Sequence, residues 1–303
     1  MNPDHNPRIF VCVPAFNEAK TISDIVNMSK KYANEVIVYD DGSTDDTSEV
    51  AKSAGATVIR NPENKGYGVA IRSLFQAAKE QDADIMVTLD SDGQHDPDQI
   101  VQVIEPLKQG FDIVIGSRFL KKDGKQKIPR YRSFGIKTIT KLTQAASYNG
   151  LTDSQSGFRA YNKNALSKIN LFEDGMAVST EILLRASEKK LLTTEVPITI
   201  NYDIKDTSTH NPISHGISVA YSVFQFVSLR HPLAFYGLPS IVLLGIAAFF
   251  IKHALNLFSE SGYVSTNLIL ISVGIAVVGF VLLATAAIVY TLIALFKGRV
   301  NYQ

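Results

Sequence analysis

The segment at residues 85–97 carries side chains suited to binding a cation at the end of a buried strand. The apolar run at residues 85–89 predicts the strand, and Asp90, Asp92 and Gln94 follow it at alternate positions. In an open α/β sheet, ligands bind at the carboxyl ends of the strands. Magnesium is usually held by one or two carboxylates together with substrate phosphates. The spacing therefore favours a metal-bound diphosphate site, although acidic pairs are also common in solvent-exposed turns.

Two further polar segments, at residues 13–22 and 39–47, follow other predicted strands. Asp40 and Asp41 in the second segment can accept hydrogen bonds from a base or ribose, or can belong to a capped acidic turn. Glu18 can contact a ribose, or can simply favour a helix N-terminus. Because strand ends spaced in this way converge in a doubly wound sheet, we expect a nucleoside site beside the acidic pair.

A glycine-rich turn at residues 64–68 provides a cation, Lys65, and two glycines just before a predicted helix. Backbone N–H groups at a helix N-terminus bind anions, and glycines let a ligand approach closely. The turn suits a diphosphate, and a plain turn is the alternative.

Apolar strands alternate with amphipathic helices through the first two-thirds of the chain. The expected strands are residues 9–13, 36–39, 58–59, 85–89 and 113–115. Four helices are expected: residues 20–31, a second helix capped by Thr44, residues 67–80, and a fourth helix that begins at Pro97. This alternation predicts an α/β domain with a mostly parallel, doubly wound sheet. The single cysteine, Cys12, lies in the first apolar run and is expected to be a buried core thiol.

The composition changes after Arg230, where two long runs without charge occupy residues 233–251 and 267–296. A helix needs about 20 apolar residues to span a bilayer core, so both runs can span. Positive residues on the outer flanks, such as Arg230 and Lys297, place both ends in the cytoplasm. We expect a transmembrane hairpin whose first helix covers about residues 233–253. A pair of buried core helices is the alternative.

The segment at residues 203–231 is expected to hold a mobile loop and then an amphipathic helix in the membrane interface. A helix packed on the soluble domain is the alternative for this second part. The predicted domains are residues 1–202, 203–231 and 232–303. The polar N-terminus has no apolar signal region, which favours a cytoplasmic first domain. The net charge of +1 gives no support to nucleic-acid binding.

Four motifs, VPAFNE, DDGSTDDT, NKGYG and LDSDGQHDP, occur in this order and together resemble the family-2 inverting glycosyltransferases of the glycosyltransferase-A fold. The resemblance covers residues 9–202. It implies a nucleotide-sugar donor and a Mg²⁺ or Mn²⁺ cofactor. With Lys65 from the glycine-rich turn included, the expected donor-binding residues are Pro14, Ala15, Glu18, Asp41, Lys65, Asp90 and Arg159. The implied metal ligands are Asp90, Asp92 and Gln94.

Three downstream motifs, GSR, RYRS and DSQSGFR, are similar to those of dolichyl-phosphate sugar synthases. The similarity implies that Arg118 and Arg132 bind the lipid phosphate or the donor phosphates, with Ser133 beside them and Arg130 as an alternative to Arg132. Arg159 would close over the donor phosphates. Guanidinium groups bind phosphate bidentately, although any one arginine can instead pair with a surface acid. The implied catalytic residues are Asp92, Arg118 and Arg132.

The expected reaction is inverting transfer of a sugar from a nucleotide-sugar to dolichyl or polyprenyl phosphate at the bilayer. UDP-GlcNAc or UDP-glucose is favoured as the donor, and GDP-mannose is a competitor. A processive polysaccharide synthase would need more membrane helices and a Gln-x-x-Arg-Trp motif, but the chain has no tryptophan. A non-catalytic membrane protein that binds nucleotide-sugars is the third hypothesis. Homo-oligomerisation is left open.

Overall fold

The computed structural model describes residues 6–120, 140, 150–201, 224, 228 and 231–300. The chain divides into two compact units, residues 1–223 and residues 224–303. The predicted domain limits lie beside or within stretches outside the described residues, so they stay predictions. The same holds for the amphipathic interface helix.

The first unit is built on a seven-stranded sheet with the order β3-β2-β1-β4-β6-β5-β7. The strands are β1 (Ile9–Ala15), β2 (Glu35–Asp40), β3 (Thr57–Arg60), β4 (Ile85–Thr88), β5 (Ile113–Ser117), β6 (Arg159–Asn162) and β7 (Thr193–Pro197). Only β6 among these runs antiparallel, between β4 and β5, and the other pairings are parallel. The predicted α/β class with a mostly parallel sheet is confirmed.

In the described part of the first unit, six helices cover the two faces of this sheet. They are α1 (Ile22–Ser29), α2 (Thr47–Ser53), α3 (Tyr67–Glu80), α4 (Ile100–Lys108), α5 (Lys163–Lys168) and α6 (Val178–Glu188), with a 3₁₀ turn at Pro97–Gln99 before α4. Alternate residues of β1 enter different cores: Phe10 and Cys12 face one, and Val11 and Val13 face the other. This is the period of two expected for a strand buried on both faces. Cys12 is fully buried, as expected.

The predicted capping role of Thr44 is wrong. Helix α2 begins three residues later, at Thr47, whose N–H donates to Asp45 Oδ1 at 3.1 Å. Thr44 instead donates its N–H to Asn17 Oδ1 at 2.8 Å. The residue therefore joins two loops, because a tertiary hydrogen bond to Asn17 replaces the local cap.

The second unit contains two long apolar helices, α7 (Leu238–Ser261), which follows a π-helical turn at Leu233–Gly237, and α8 (Thr266–Val300). The segments Leu233–Ser261 and Thr266–Ile293 are long and apolar enough to cross a membrane, with mean hydropathy of 2.1 and 2.8. Most of their large apolar side chains are exposed within the unit. Such helices, apolar around their whole circumference, suit a lipid environment.

The first long helix extends past its expected end near residue 253. It ends at Ser261, and the next residue, Gly262, has a φ of 67°, the left-handed conformation that terminates many helices. Residues 262–265 connect it to the second long helix. Small residues mediate the contact between α7 and α8: Ala247 and Ala254 are buried, and a Cβ atom on Gly279 would lie 3.0 Å from Leu244.

Candidate active site

The loops that follow β1, β2 and β4 meet at the carboxyl edge of the sheet. This follows from the strand order, because β1 lies between β2 and β4. Thr21 Oγ1, after β1, donates to the carbonyl of Ser91, after β4, at 2.7 Å. Asn17 N–H donates to Ser43 Oγ at 2.9 Å and joins the first loop to the second. The three loops thus meet as the sequence predicts.

Pro14 and Ala15, which are expected to bind the nucleoside, lie at the end of β1. Ala15 is buried, and its carbonyl accepts the N–H of Asp41 at 2.9 Å. Pro14 and Ala15 pair in parallel register with Tyr39 and Asp40 of β2. Both residues therefore lie directly beside the acidic turn with which they were expected to act.

The two adjacent aspartates of the second loop have different partners. Asp40 is fully buried, accepts the N–H of Ser43 at 2.8 Å and lies 3.8 Å from Nε of Arg60, so it holds its own turn together. Asp41 Oδ1 accepts the N–H of Lys65 at 3.0 Å, and Oδ2 accepts that of Gly66 at 2.7 Å. Asp41 therefore anchors the glycine-rich turn.

The glycine-rich turn also rests closely on a second stretch of backbone. A Cβ atom on Gly68 would lie 2.3 Å from the carbonyl oxygen of Glu173, and one on Gly66 would lie 2.7 Å from that of Asp174. Gly66 also has a φ of 102°, which favours glycine. Lys65 is exposed and forms no ion pair within the described part of the chain. Its ammonium group is accessible to a ligand.

Asp90, the first residue of the acidic pair, is held from three directions. Tyr67 Oη donates to Asp90 Oδ1 at 3.2 Å. The N–H of Asp90 donates to His95 Nδ1 at 3.3 Å. Gly157 approaches from a third side, where an added Cβ atom would lie 2.5 Å from Asp90 Oδ1. The Asp90 side chain is still 35% exposed, so the carboxylate is accessible to a ligand.

The protonation states of Tyr67 and His95 are consistent with their hydrogen bonds to Asp90. Burial raises the pKa of Tyr67 well above its ordinary value, and the negative charge of Asp90 adds to the effect, so the phenol keeps its proton and donates. Burial lowers the pKa of His95, which favours the neutral imidazole. Since Nδ1 accepts a hydrogen bond, the proton of the neutral ring is assigned to Nε2.

Asp92 and Gln94 form the second half of the motif. Asp92 is half-buried, and its Oδ1 accepts the N–H of Gln94 at 2.9 Å, whereas the Gln94 side chain is buried. No group of three or more His, Cys, Asp or Glu side chains suited to a metal occurs in the described residues. Two partly exposed carboxylates nevertheless fit a hard cation that takes its remaining ligands from substrate phosphates and water.

Glu18 adds negative charge to this edge of the sheet. Burial raises the pKa of Glu18; the hydrogen bond from Thr21 opposes the shift, and the charges of Asp45 and Asp90 reinforce it. Its Oε2 accepts the Thr21 hydroxyl at 3.1 Å. The resulting potential attracts a cation to the Asp90 side of the site.

Arg118, expected to bind a phosphate, makes a bidentate ion pair with buried Asp153. The distances are 2.6 Å from Nε to Oδ2 and 2.7 Å from Nη2 to Oδ1. Asp153 is positioned in turn by Glu195, whose Oε1 accepts its N–H at 2.8 Å. The phosphate-binding role of Arg118 stays a prediction, and the pair fixes where its guanidinium lies.

Arg159 is buried, with 1% of its surface exposed. Its guanidinium donates to the carbonyls of Ser154, Ser156 and Ser179 at 2.8, 2.8 and 2.9 Å. These bonds connect the segment at residues 154–156 to the start of α6. A contact between Arg159 and the donor phosphates stays a prediction. The other acceptor-phosphate candidates, Arg130, Arg132 and Ser133, lie outside the described residues.

Three residues with direct contacts to Asp90 were not singled out from the sequence, namely Tyr67, His95 and Gly157. Tyr67 lies in NKGYG, His95 in LDSDGQHDP and Gly157 in DSQSGFR, but the order of these motifs does not show which of their residues meet. Thr88 Oγ1 donates to the carbonyl of Gly157 at 2.8 Å and fixes this approach. The contact with Asp90 arises because β6 pairs with β4.

A mostly parallel sheet with three loops and an acidic pair at its carboxyl edge is the glycosyltransferase-A fold, and the chain is a glycosyltransferase. More particularly, residues 10–169 match glycosyl transferase family 2, and the chain belongs to that family.

Known proteins similar to this chain agree with the assignment. An uncharacterised protein of Methanocaldococcus jannaschii is 36% identical over 74% of this chain and 93% of its own length. The UDP-N-acetylglucosamine–dolichyl-phosphate N-acetylglucosaminyltransferase of Methanococcus voltae is 32% identical over 70% of this chain and 93% of its own.

Among solved structures, glucosyl-3-phosphoglycerate synthase of Mycobacterium tuberculosis, crystallised with Mn²⁺ and UDP, superposes with a TM-score of 0.57. The alignment covers 73% of this chain and 80% of that one at 20% identity. At this identity the likeness establishes the fold.

Proposed function

We propose that this enzyme transfers a sugar, with inversion at C1, from a nucleotide-sugar to dolichyl or polyprenyl phosphate. The observation that carries the proposal is the placement of two carboxylates by one short turn. Backbone N–H groups of Lys65 and Gly66 bind Asp41, and the hydroxyl of the next residue, Tyr67, binds Asp90. A nucleoside and a metal-bound diphosphate need such neighbouring sites.

The proposed donor site places the nucleoside against Pro14, Ala15, Glu18 and Asp41, and the diphosphate near Lys65, Asp90 and Arg159. Asp90, Asp92 and Gln94 would hold the Mg²⁺ or Mn²⁺ ion. When bound, this cation neutralises the charge that grows on the departing nucleoside diphosphate. The partial exposure of Asp90 and the solvent-exposed position of Lys65 support this assignment.

The proposed acceptor site uses Arg118, Arg132 and Ser133 to bind the phosphate of the lipid. Because that phosphate is already anionic near neutral pH, positioning and charge stabilisation can supply most of the catalysis without a strong base. Asp153 supports this role of Arg118, since the ion pair fixes the direction of the guanidinium before the acceptor arrives.

We place the protein in a membrane, with its two apolar helices spanning the bilayer and both ends on the cytoplasmic side. The length and hydropathy of those helices support the location, and a polyprenyl acceptor requires it. The name of the Methanococcus voltae relative favours UDP-GlcNAc as the donor. UDP-glucose and GDP-mannose are the donors to compare with it.

The test is a transfer assay with the full-length chain in detergent micelles, polyprenyl phosphate and Mg²⁺ or Mn²⁺. Radiolabelled UDP-GlcNAc, UDP-glucose and GDP-mannose are supplied separately, and the organic phase is analysed by thin-layer chromatography. We expect one donor to give a lipid-linked monosaccharide whose formation stops with EDTA. A lengthening polysaccharide would favour a processive synthase, whereas no product from any donor would favour a non-catalytic binding protein.

A further inference from the structure

Asp90 is held by a phenol hydrogen bond in addition to its backbone contacts. Tyr67 Oη donates to Oδ1 at 3.2 Å from the first residue of α3. The start of this helix is fixed, because Gly68 N–H donates to the carbonyl of Asp174 at 2.9 Å. The fixed start of α3 therefore holds the Tyr67 phenol beside the Asp90 carboxylate.

Gly157 also lies close to the Asp90 carboxylate. An added Cβ atom there would lie 2.5 Å from Oδ1 and 2.7 Å from Oδ2, so the carboxyl group occupies space that any other residue at this position would fill. The hydrogen bond from the Tyr67 phenol restricts the rotation of this carboxyl group. A carboxylate restricted in this way loses less entropy when it binds a cation.

The same turn connects Asp90 to the proposed nucleoside site. Lys65 and Gly66 donate their N–H groups to Asp41, and Tyr67 is the next residue along the chain. Movement of Asp41 on nucleotide binding would therefore be transmitted to the phenol through adjacent peptide units.

We propose that Tyr67 is a positioning residue that orients Asp90 for the divalent cation and links this orientation to the nucleoside site. The inference deepens the proposed function, because the cation and the nucleotide belong to the donor site, but it does not depend on the acceptor. Partners that orient metal ligands typically change metal affinity by about 10- to 100-fold when they are lost.

The experiment replaces the phenol by Tyr67→Phe in the full-length chain and measures Mn²⁺ affinity by electron paramagnetic resonance. Titrations use Mn²⁺ alone and then Mn²⁺ with UDP or GDP. The matched control is Tyr32→Phe, which removes a phenol that donates to Asp98, in the 3₁₀ turn at Pro97–Gln99, at 2.9 Å. We expect about 10-fold weaker Mn²⁺ binding in the Tyr67 variant and an unchanged value in the control.

A merely structural role for Tyr67 would lower the thermal midpoint of the Tyr67 variant, or weaken its binding of UDP or GDP in EDTA. Either result, with Mn²⁺ affinity unchanged, overturns the proposal. Unchanged Mn²⁺ affinity in the variant overturns it, as does wild-type protein that binds no Mn²⁺ with either nucleotide. Wild-type protein that binds Mn²⁺ but transfers no sugar to polyprenyl phosphate contradicts the proposed function, and the comparison of variants still decides the role of Tyr67.

Discussion

Gly157 leaves the Asp90 carboxylate the space it occupies, since a Cβ atom on this glycine would lie 2.5 Å from Oδ1 and 2.7 Å from Oδ2. Such contacts are far shorter than a carbon and an oxygen atom tolerate. The glycine lies just before β6, and this antiparallel strand brings it beside the end of β4.

Gly157→Ala is expected to displace the Asp90 carboxylate and to lower metal-dependent activity at least about 10-fold. The measurement is the Mn²⁺ concentration that gives half-maximal transfer, together with the maximal rate. Gly150→Ala is the matched control, because a Cβ atom at Gly150 would meet nothing within 4 Å. Equal activity of the two variants would show that Asp90 tolerates the shift.

Asp92→Ala is expected to abolish sugar transfer and to leave membrane insertion intact, because it removes one proposed ligand of the cation without altering the apolar helices. Activity is measured in the transfer assay, and insertion is measured by extraction of membranes with alkaline carbonate. Asp98→Ala, which changes an exposed aspartate in the following turn, is the control. Full metal-dependent activity of the Asp92 variant would refute the site assignment.

Asp153→Ala is expected to destabilise the protein by about 3 to 5 kcal/mol, because it leaves the guanidinium of Arg118 buried without its carboxylate. Glu105→Ala breaks an exposed ion pair with Lys108 of 3.0 Å and should cost about 1 kcal/mol or less. Thermal denaturation in detergent compares the two variants. A similar small loss in both would mean that the Arg118 pair contributes little to folding.

Glu18→Gln is expected to raise the thermal midpoint at pH 7.5. Burial raises the pKa of Glu18 in the folded protein, so the folded state binds its proton more tightly than the unfolded state. The stability associated with this group is therefore greatest below its ordinary pKa and declines as the pH rises through the raised value.

The gain in the Glu18 variant should disappear below about pH 4, where the carboxyl group is protonated in both states. Differential scanning fluorimetry at the two pH values checks this, with the exposed Glu105→Gln as the control. If Glu18 also contacts the ribose, the same variant binds the nucleotide more weakly while it is more stable. A midpoint that falls at pH 7.5 would contradict the electrostatic argument.

Local patterns predicted much of the fold. The helix at Tyr67–Glu80 has the expected bounds, and strands β1 to β5 lie where apolar runs predicted them. These elements are readable because their periodicity and their turn residues are contiguous in the chain. Strands β6 and β7 were not expected. Arg159 and Asn162 at the ends of β6 are polar, and its burial depends on neighbours that are distant in sequence. Strand β7 is only partly buried, so it has no buried apolar run.

The sequence by itself determined the α/β class, the order of the site loops, the Asp90–Asp92 pair and the two long apolar helices, because each is recorded in consecutive residues. Only the tertiary structure decided which side chains meet. The tertiary structure brings Tyr67 and Gly157 into contact with Asp90, and it pairs the buried guanidinium of Arg118 with the carboxylate of Asp153. Those contacts depend on strand pairing and helix packing over long sequence separations, so composition and spacing along the chain do not encode them locally.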